Sequence, residues 1–353
     1  MNRNTTIILL CLLTSFTACK KDKDPIFIIA PSEGVEKVTF NGLAGTETGS
    51  TAANSVYLDL SGEKSTVVLR SGWDLGFYSG TDFKVILNNT TSGAVKVLSK
   101  TDLSSVTAED TIGLTLAVSQ MNPQPSDLEY FDDLDGDLKK TAIPAISAID
   151  ANNPVIILNR GVGGTAPRPW IKLRIIRNGN GYRVQYANIL ETNYKSIEVS
   201  KNPDYHFQFI SFENGIVQVE PDKSQWDLVW TYSVFKANFG WGVVPYNFSD
   251  IIGVNYLSGV KVKEAVYADG ATANAAYSSF NKDSLTNYTL VEGRWTIGSS
   301  WRSTMPAIGA KPDRFYIIKD PNDNYYKFKA LSMGVGTDGG TRGKPEFKYA
   351  LIK

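Results

Sequence analysis

SQWDLVWTYSVFKANFG, from Ser224 to Gly240, repeats something the chain has already said in SGWDLGFYSGTDFKVILNN, from Ser71 to Asn89. Both spell Trp-Asp-Leu, at Trp73-Asp74 and Trp226-Asp227. Both then reach Phe-Lys, at Phe83-Lys84 and Phe235-Lys236, and an Asn follows each, Asn88 and Asn238. A Trp at a strand start buries a large apolar area. The Asp beside it can accept backbone N–H bonds and fix how the strand enters its sheet. Trp73, Asp74, Trp226 and Asp227 therefore read as a structural repeat. Each copy supplies one such carboxylate, with no partner acid for catalysis.

The likeness extends outward from the two motifs. VYLDLSGEKSTVVLRSGWDL and FQFISFENGIVQVEPDKSQWDL each place strand, polar turn and strand before the Trp. KTDL is echoed by FSDI, LRIIRNGNGYRVQYANI by FYIIKDPNDNYYKFKAL, and NPDYHFQFI by KPEFKYALI. These features recur in one order at offsets of roughly 140 to 155 residues, which is the signature of an internal repeat. The expected organisation is a signal peptide over residues 1–18, a tether over 19–34, and two copies of one β domain over 35–204 and 205–353. No Pro/Ser-rich linker separates the copies, so they are expected to touch.

Short β-branched or aromatic runs bounded by Gly, Asn, Asp or Pro fill the chain: TVVLR, FKVIL, PVIIL, WIKLRII, DRFYIIK, YYKFKAL. Several alternate with the period of a half-buried strand. The fold class is all-β, mainly antiparallel sheets with a few short helices. The strongest helical pattern is TAEDTIGLTLAVSQM from Thr107, with an N-cap and an acidic first turn; a second surrounds NKDSLTNY from Asn281.

The N-terminus, MNRNTTIILLCLLTSFTAC, has one basic residue, an apolar run too short to span a bilayer, and small residues ending at Ala18-Cys19. This resembles a bacterial lipoprotein signal with Cys19 as the lipidated residue; the alternative is an ordinary secretory signal. The two cysteines are Cys11 and Cys19, so the remainder of the chain offers no thiolate nucleophile, disulfide or Cys-held metal. Lys+Arg and Asp+Glu both number 36, and this balance gives no basic surface for nucleic acid. GVGGTA, from Gly161 to Ala166, lacks the strand–Gly–helix setting of a phosphate loop. DDLDGDL, from Asp132, lacks the bidentate Glu of a calcium loop and reads as a solvated acidic turn. With one His, placed at the junction of the copies, no catalytic Ser–His pair is credible, and no enzyme is expected.

The Trp-Asp-Leu strands, the late Gly-Tyr hairpin followed by a Pro-x-Phe-x-Tyr-type segment, and GSSWRSTMP (Gly298 to Pro306) together resemble the HmuY-like lipoproteins of Bacteroidota. That resemblance covers nearly all of the chain after the signal. It implies an all-β, lipid-anchored protein of the outer membrane or cell surface. The implied activity is capture of haem or a related tetrapyrrole and hand-over to a TonB-dependent outer-membrane transporter. The founding members hold iron through two His side chains and relatives use Met. This chain has only His206, so a bis-His site within it is impossible. His206 lies in an alternating strand at the domain junction, and its counterpart in the other copy is Lys348, which suggests a solvated position. Met305, in a Gly/Ser-rich loop, is the axial candidate, since a thioether can ligate haem iron. Trp241, Tyr246 and Phe248 would supply flat walls. Such walls also suit a sugar or a peptide, and the alternative function is a surface adhesion or glycan/peptide-binding module without haem.

Overall fold

The computed structural model describes residues 30–353. The signal and Cys19 lie outside them. Pro31–Lys353 forms one compact unit built from four antiparallel sheets and a two-stranded ribbon. The all-β expectation holds.

One four-stranded sheet runs, in spatial order, Val243–Val254, Leu228–Asn238, Asn54–Asp59 and Lys64–Leu69. The other runs Gly215–Val217, Phe207–Ser211, Leu75–Tyr78 and Val85–Leu87. Each backs onto a five-stranded sheet. Behind the first lie Gly34–Thr39, Glu346–Leu351, Tyr325–Ser332, Arg314–Lys319 and Lys261–Val266. Val56, Leu228 and Trp230 meet Tyr316, Phe328 and Phe347 in the core between them. Behind the second lie Lys195–Val199, Gly181–Asn188, Ile171–Asn178, Val155–Asn159 and Ala94–Val97, and Leu75, Phe77 and Ile210 meet Leu173, Tyr182 and Val184.

The repeated motif explains how the sheets assemble. Leu228 pairs with Leu58 and Trp230 with Val56, while Phe207 pairs with Tyr78 and Ile210 with Leu75. Each Trp-Asp-Leu strand therefore docks on the hairpin that precedes the other one. The bonds match atom for atom. Asp227 N–H donates to Leu58 O, and its Oδ2 accepts from Leu60 N–H at 2.8 Å. Asp74 N–H donates to Ile210 O, and its Oδ2 accepts from Phe212 N–H at 2.9 Å. Trp226 meets the Tyr57 ring edge-on at 5.1 Å, and Trp73 meets Phe209 edge-on at 4.9 Å. Pairing thus crosses the boundary expected between 204 and 205. Asn54–Asp59 is buried along its whole length because both of its faces are covered.

Several local expectations need correction. The Asn that matches Asn88 is Asn255: Asn88 Nδ2 donates to Trp73 O at 2.8 Å, and Asn255 Nδ2 donates to Trp226 O at 2.9 Å. Asn238 instead accepts from Gly240 N–H in a hairpin turn. The NPDYHFQFI and KPEFKYALI segments enter different kinds of sheet, one four-stranded and one five-stranded. From Thr107 only one 3-10 turn forms, Ala108–Thr111, held by reciprocal bonds of Thr107 and Asp110. Left-handed backbone at Gly113 and Leu116 stops it, with φ of +79° and +40°. Asn281 likewise caps a 3-10 turn, Lys282–Asn287. The α-helix among the described residues is Gly270–Ser279, capped by Asp269, whose side chain accepts from Thr272 N–H at 2.7 Å. Its sequence, GATANAAYSS, buries only Ala273 and Tyr277, so it carries little apolar periodicity to read.

Candidate functional site

Leu228–Asn238 and Val243–Val254 pair over ten positions, but only Leu228, Val229 and Trp230 also pair with the neighbouring strand. The outer part of this hairpin therefore has no strand beside it on that edge. Its turn carries Gly240 and Gly242 at φ of +100° and +141°, conformations that favour glycine. A bulge opposite Thr231–Ser233 bends it, with Asp250 at φ +54° and its carboxylate 2.6 Å from Arg342.

The hairpin carries a continuous ladder of rings. Trp241 stacks on Phe239 at 5.3 Å, and Phe239 meets Tyr246 edge-on at 5.3 Å. Tyr246 meets Phe248 at 5.8 Å, Phe248 meets Phe235 at 5.2 Å, and Phe235 meets Trp295 at 5.6 Å. The outer end is open to solvent, with Trp241 61% and Phe239 48% exposed. Exposed stacked aromatics of this kind are costly in water and suit a flat ligand. Trp241, Tyr246 and Phe248 are thus brought together. Phe239 joins Trp241 to Tyr246, and sequence reasoning passed over it although it stands in the same run.

Met305 sits between the ribbon strands Arg302–Ser303 and Gly309–Ala310 and is 90% exposed. Arg302 ties its loop to the hairpin, donating to Ser249 O and lying 5.8 Å over the Phe248 ring. A second loop reaches the same strand. Gln120 Oε1 accepts from Asn247 N–H at 2.9 Å, and the next residue, Met121, is 96% exposed. Two loops that carry solvent-exposed thioethers therefore reach the strand that bears Tyr246 and Phe248. Met333, by contrast, is fully buried in the core.

His206 is not solvated as expected. It is half-buried, its Nε2 lies 2.8 Å from Ser258 Oγ, and burial, with Lys223 nearby, pushes its pKa down to about 4. Asp132 is not a solvated turn residue either. Its carboxylate accepts from Leu87 N–H and Ala142 N–H, and burial raises its pKa to about 6. Among the described residues no cluster of His, Cys, Asp or Glu could hold a metal ion, and no helix is long and apolar enough to cross a membrane. The carbonyls of Gly163 and Gly164, in the glycine-rich loop, receive the buried Arg70 guanidinium.

The outward faces of the two four-stranded sheets enclose a cavity of about 100 Å³. Ligand pockets for drug-sized molecules run to roughly 300–1,000 Å³, so this interior space does not suit a porphyrin.

A family model described as HmuY protein matches residues 51–349. No curated protein matches the chain. No solved structure matches it.

Proposed function

The chain belongs to the HmuY family, and from that premise we propose that it captures haem, or a related tetrapyrrole, at the cell surface and passes it to a TonB-dependent outer-membrane transporter. The observation that carries this reading is the solvent-open aromatic end of the Leu228–Asn238/Val243–Val254 hairpin, reached by the two loops that carry the exposed Met305 and Met121. Phe239, Trp241 and Tyr246 give ring faces for a flat macrocycle, and Met305 gives the iron an axial sulfur, with Met121 as the candidate second ligand. His206 is excluded as one of a pair and is already engaged with Ser258.

A soft thioether matches reduced iron better than oxidised iron. In hemin titrations of the purified protein under air and under dithionite, a Soret shift is expected in both, with tighter binding on reduction. Met305→Ala should weaken the reduced complex by about tenfold or more. Identical titrations for wild type and Met305→Ala in both redox states would remove Met305 as a ligand. Absence of any Soret change in wild type would leave the adhesion or glycan/peptide-binding reading.

Anchoring through Cys19 belongs to the same proposal, supported by the short apolar run ending at Ala18-Cys19. Stable membrane attachment takes more than one acyl chain, each buried methylene contributing roughly 0.8 kcal/mol. Cys19→Ala should therefore move the protein out of the membrane fraction. A variant that sediments with membranes as wild type does would end the lipid-anchor reading.

A further inference from the structure

The cavity between the two four-stranded sheets is walled by rings from both Trp-Asp-Leu sites: Trp226 with Tyr57, and Trp73 with Phe209. Trp295, the inner end of the aromatic ladder, closes one side. Apolar walls alone would leave a dry void. Here, however, the lining residues include Asn89, Glu220, Trp226 and Asn255, each with a buried polar atom that has no hydrogen-bond partner. Those atoms are Asn89 Oδ1, Glu220 Oε2, Trp226 Nε1 and Asn255 Oδ1, of which the last has the His206 ring within hydrogen-bonding reach. Asn89 is 4% exposed, and its side chain makes no hydrogen bond to the rest of the described chain. Buried polar groups are almost always paired, and unpaired ones gathered round one space call for a bound molecule or water.

We propose that this cavity is a binding site for a small uncharged polyol, up to a single sugar ring in size, distinct from the haem platform. The chemistry selects that class. The Asn89 amide oxygen accepts, the Trp226 indole N–H donates, and a protonated Glu220 carboxyl can do either, so the ligand must both donate and accept, as hydroxyls do. The ring walls suit the C–H faces of a polyol. Burial pushes the Glu220 carboxyl up to about 8, with Arg294 opposing, so at neutral pH it is mostly protonated and calls for no ligand charge. Arg294, stacked on Trp295 at 4.8 Å, is a second donor at the wall. A space of about 100 Å³ takes roughly three to seven waters, the volume of a three- to six-carbon polyol.

The test is calorimetric titration of the whole mature protein with erythritol, D-xylose and D-glucose, with intrinsic tryptophan emission and melting temperature read alongside. At least one probe is expected to bind, to shift the emission of the cavity tryptophans Trp73, Trp226 and Trp295 and to raise the melting temperature. Asn89→Leu replaces a carboxamide whose oxygen is unpaired with an apolar group of similar size, so it should fold as wild type does and lose at least about tenfold in affinity for that probe. Hemin titration of Asn89→Leu should match wild type, which keeps this site separate from the haem reading. The proposal is overturned if no probe at ~10 mM produces heat or a spectral change in wild type, or if folded Asn89→Leu responds as wild type does. In either case the unpaired atoms hold only water.

Discussion

Arg160→Leu is expected to destabilise the protein by about 3–5 kcal/mol, read as a fall in the urea midpoint at unchanged slope. Arg160 is 3% exposed and grips Asp74 with two nitrogens, each at 2.8 Å. It also bonds both carboxylate oxygens of Glu213. Asp74 is itself buried, and it is the residue that receives Phe212 N–H and so ties the Leu75–Tyr78 strand to Phe207–Ser211. Removing the guanidinium leaves Asp74 with Arg168, 3.0 Å away, as its remaining cation. A buried charge that loses its partner costs far more than the pair contributes. Glu213 is half-exposed and regains water, so most of the loss belongs to Asp74. The double variant Arg160→Leu/Asp74→Asn, which removes both charges and keeps an acceptor for Phe212 N–H, should recover about half of it. A single variant within 1 kcal/mol of wild type would show that Arg168 alone satisfies the site.

How far the fold could be read follows from which interactions are local. The Trp-Asp-Leu segments announced themselves because a buried Trp next to a capping Asp is a local pattern, and its proposed role in strand entry matches the bonds of Asp74 and Asp227. The partners of those bonds lie far off in sequence. Asp227 reaches Leu60, and Asp74 reaches Phe212, so the crossing of hairpins between the halves left no local trace. Asn255 was missed for the same reason. A longer hairpin in the second half delays the matching Asn, and Asn238 happened to stand where Asn88 does. At the candidate site, Trp241, Tyr246 and Phe248 were legible because they stand in one short aromatic-rich run, although only Tyr246 and Phe248 are alternate residues of a strand. Met121 was not. Its approach to that strand depends on the pairing of Gln120 with Asn247, two positions that no periodicity connects. The cavity was invisible for a deeper reason, since it exists only where the outward faces of two sheets meet.

The two Asp sites also differ in a way that pH should reveal. Asp74 has Arg160 and Arg168, whereas among the described residues Asp227 makes no ion pair. Asp227 is 3% exposed. Burial raises its pKa from 3.8 to about 8, against the opposing Leu60 N–H bond and with further help from Asp59 and Asp320. The folded state therefore holds a proton that the unfolded chain releases above pH ~4. The contribution of this group to stability is full below that pH and is lost as pH rises towards 8. Above that, both states are ionised and the dependence ends. The slope within the window is at most about 1.4 kcal/mol per pH unit. Asp227→Asn keeps an oxygen for Leu60 N–H and cannot ionise. Glu220 and Asp132 titrate in the same direction in both proteins, so the readout is the difference between wild type and variant. Urea midpoints taken from pH 4 to pH 9 should run close together at the acid end. They should then diverge in favour of Asp227→Asn, reaching several kcal/mol by pH 8. Parallel curves across the whole range would mean that Asp227 stays ionised in the folded protein. The Trp226 strand would then rest on a buried carboxylate with no cation, an arrangement that the low dielectric of its surroundings strongly disfavours.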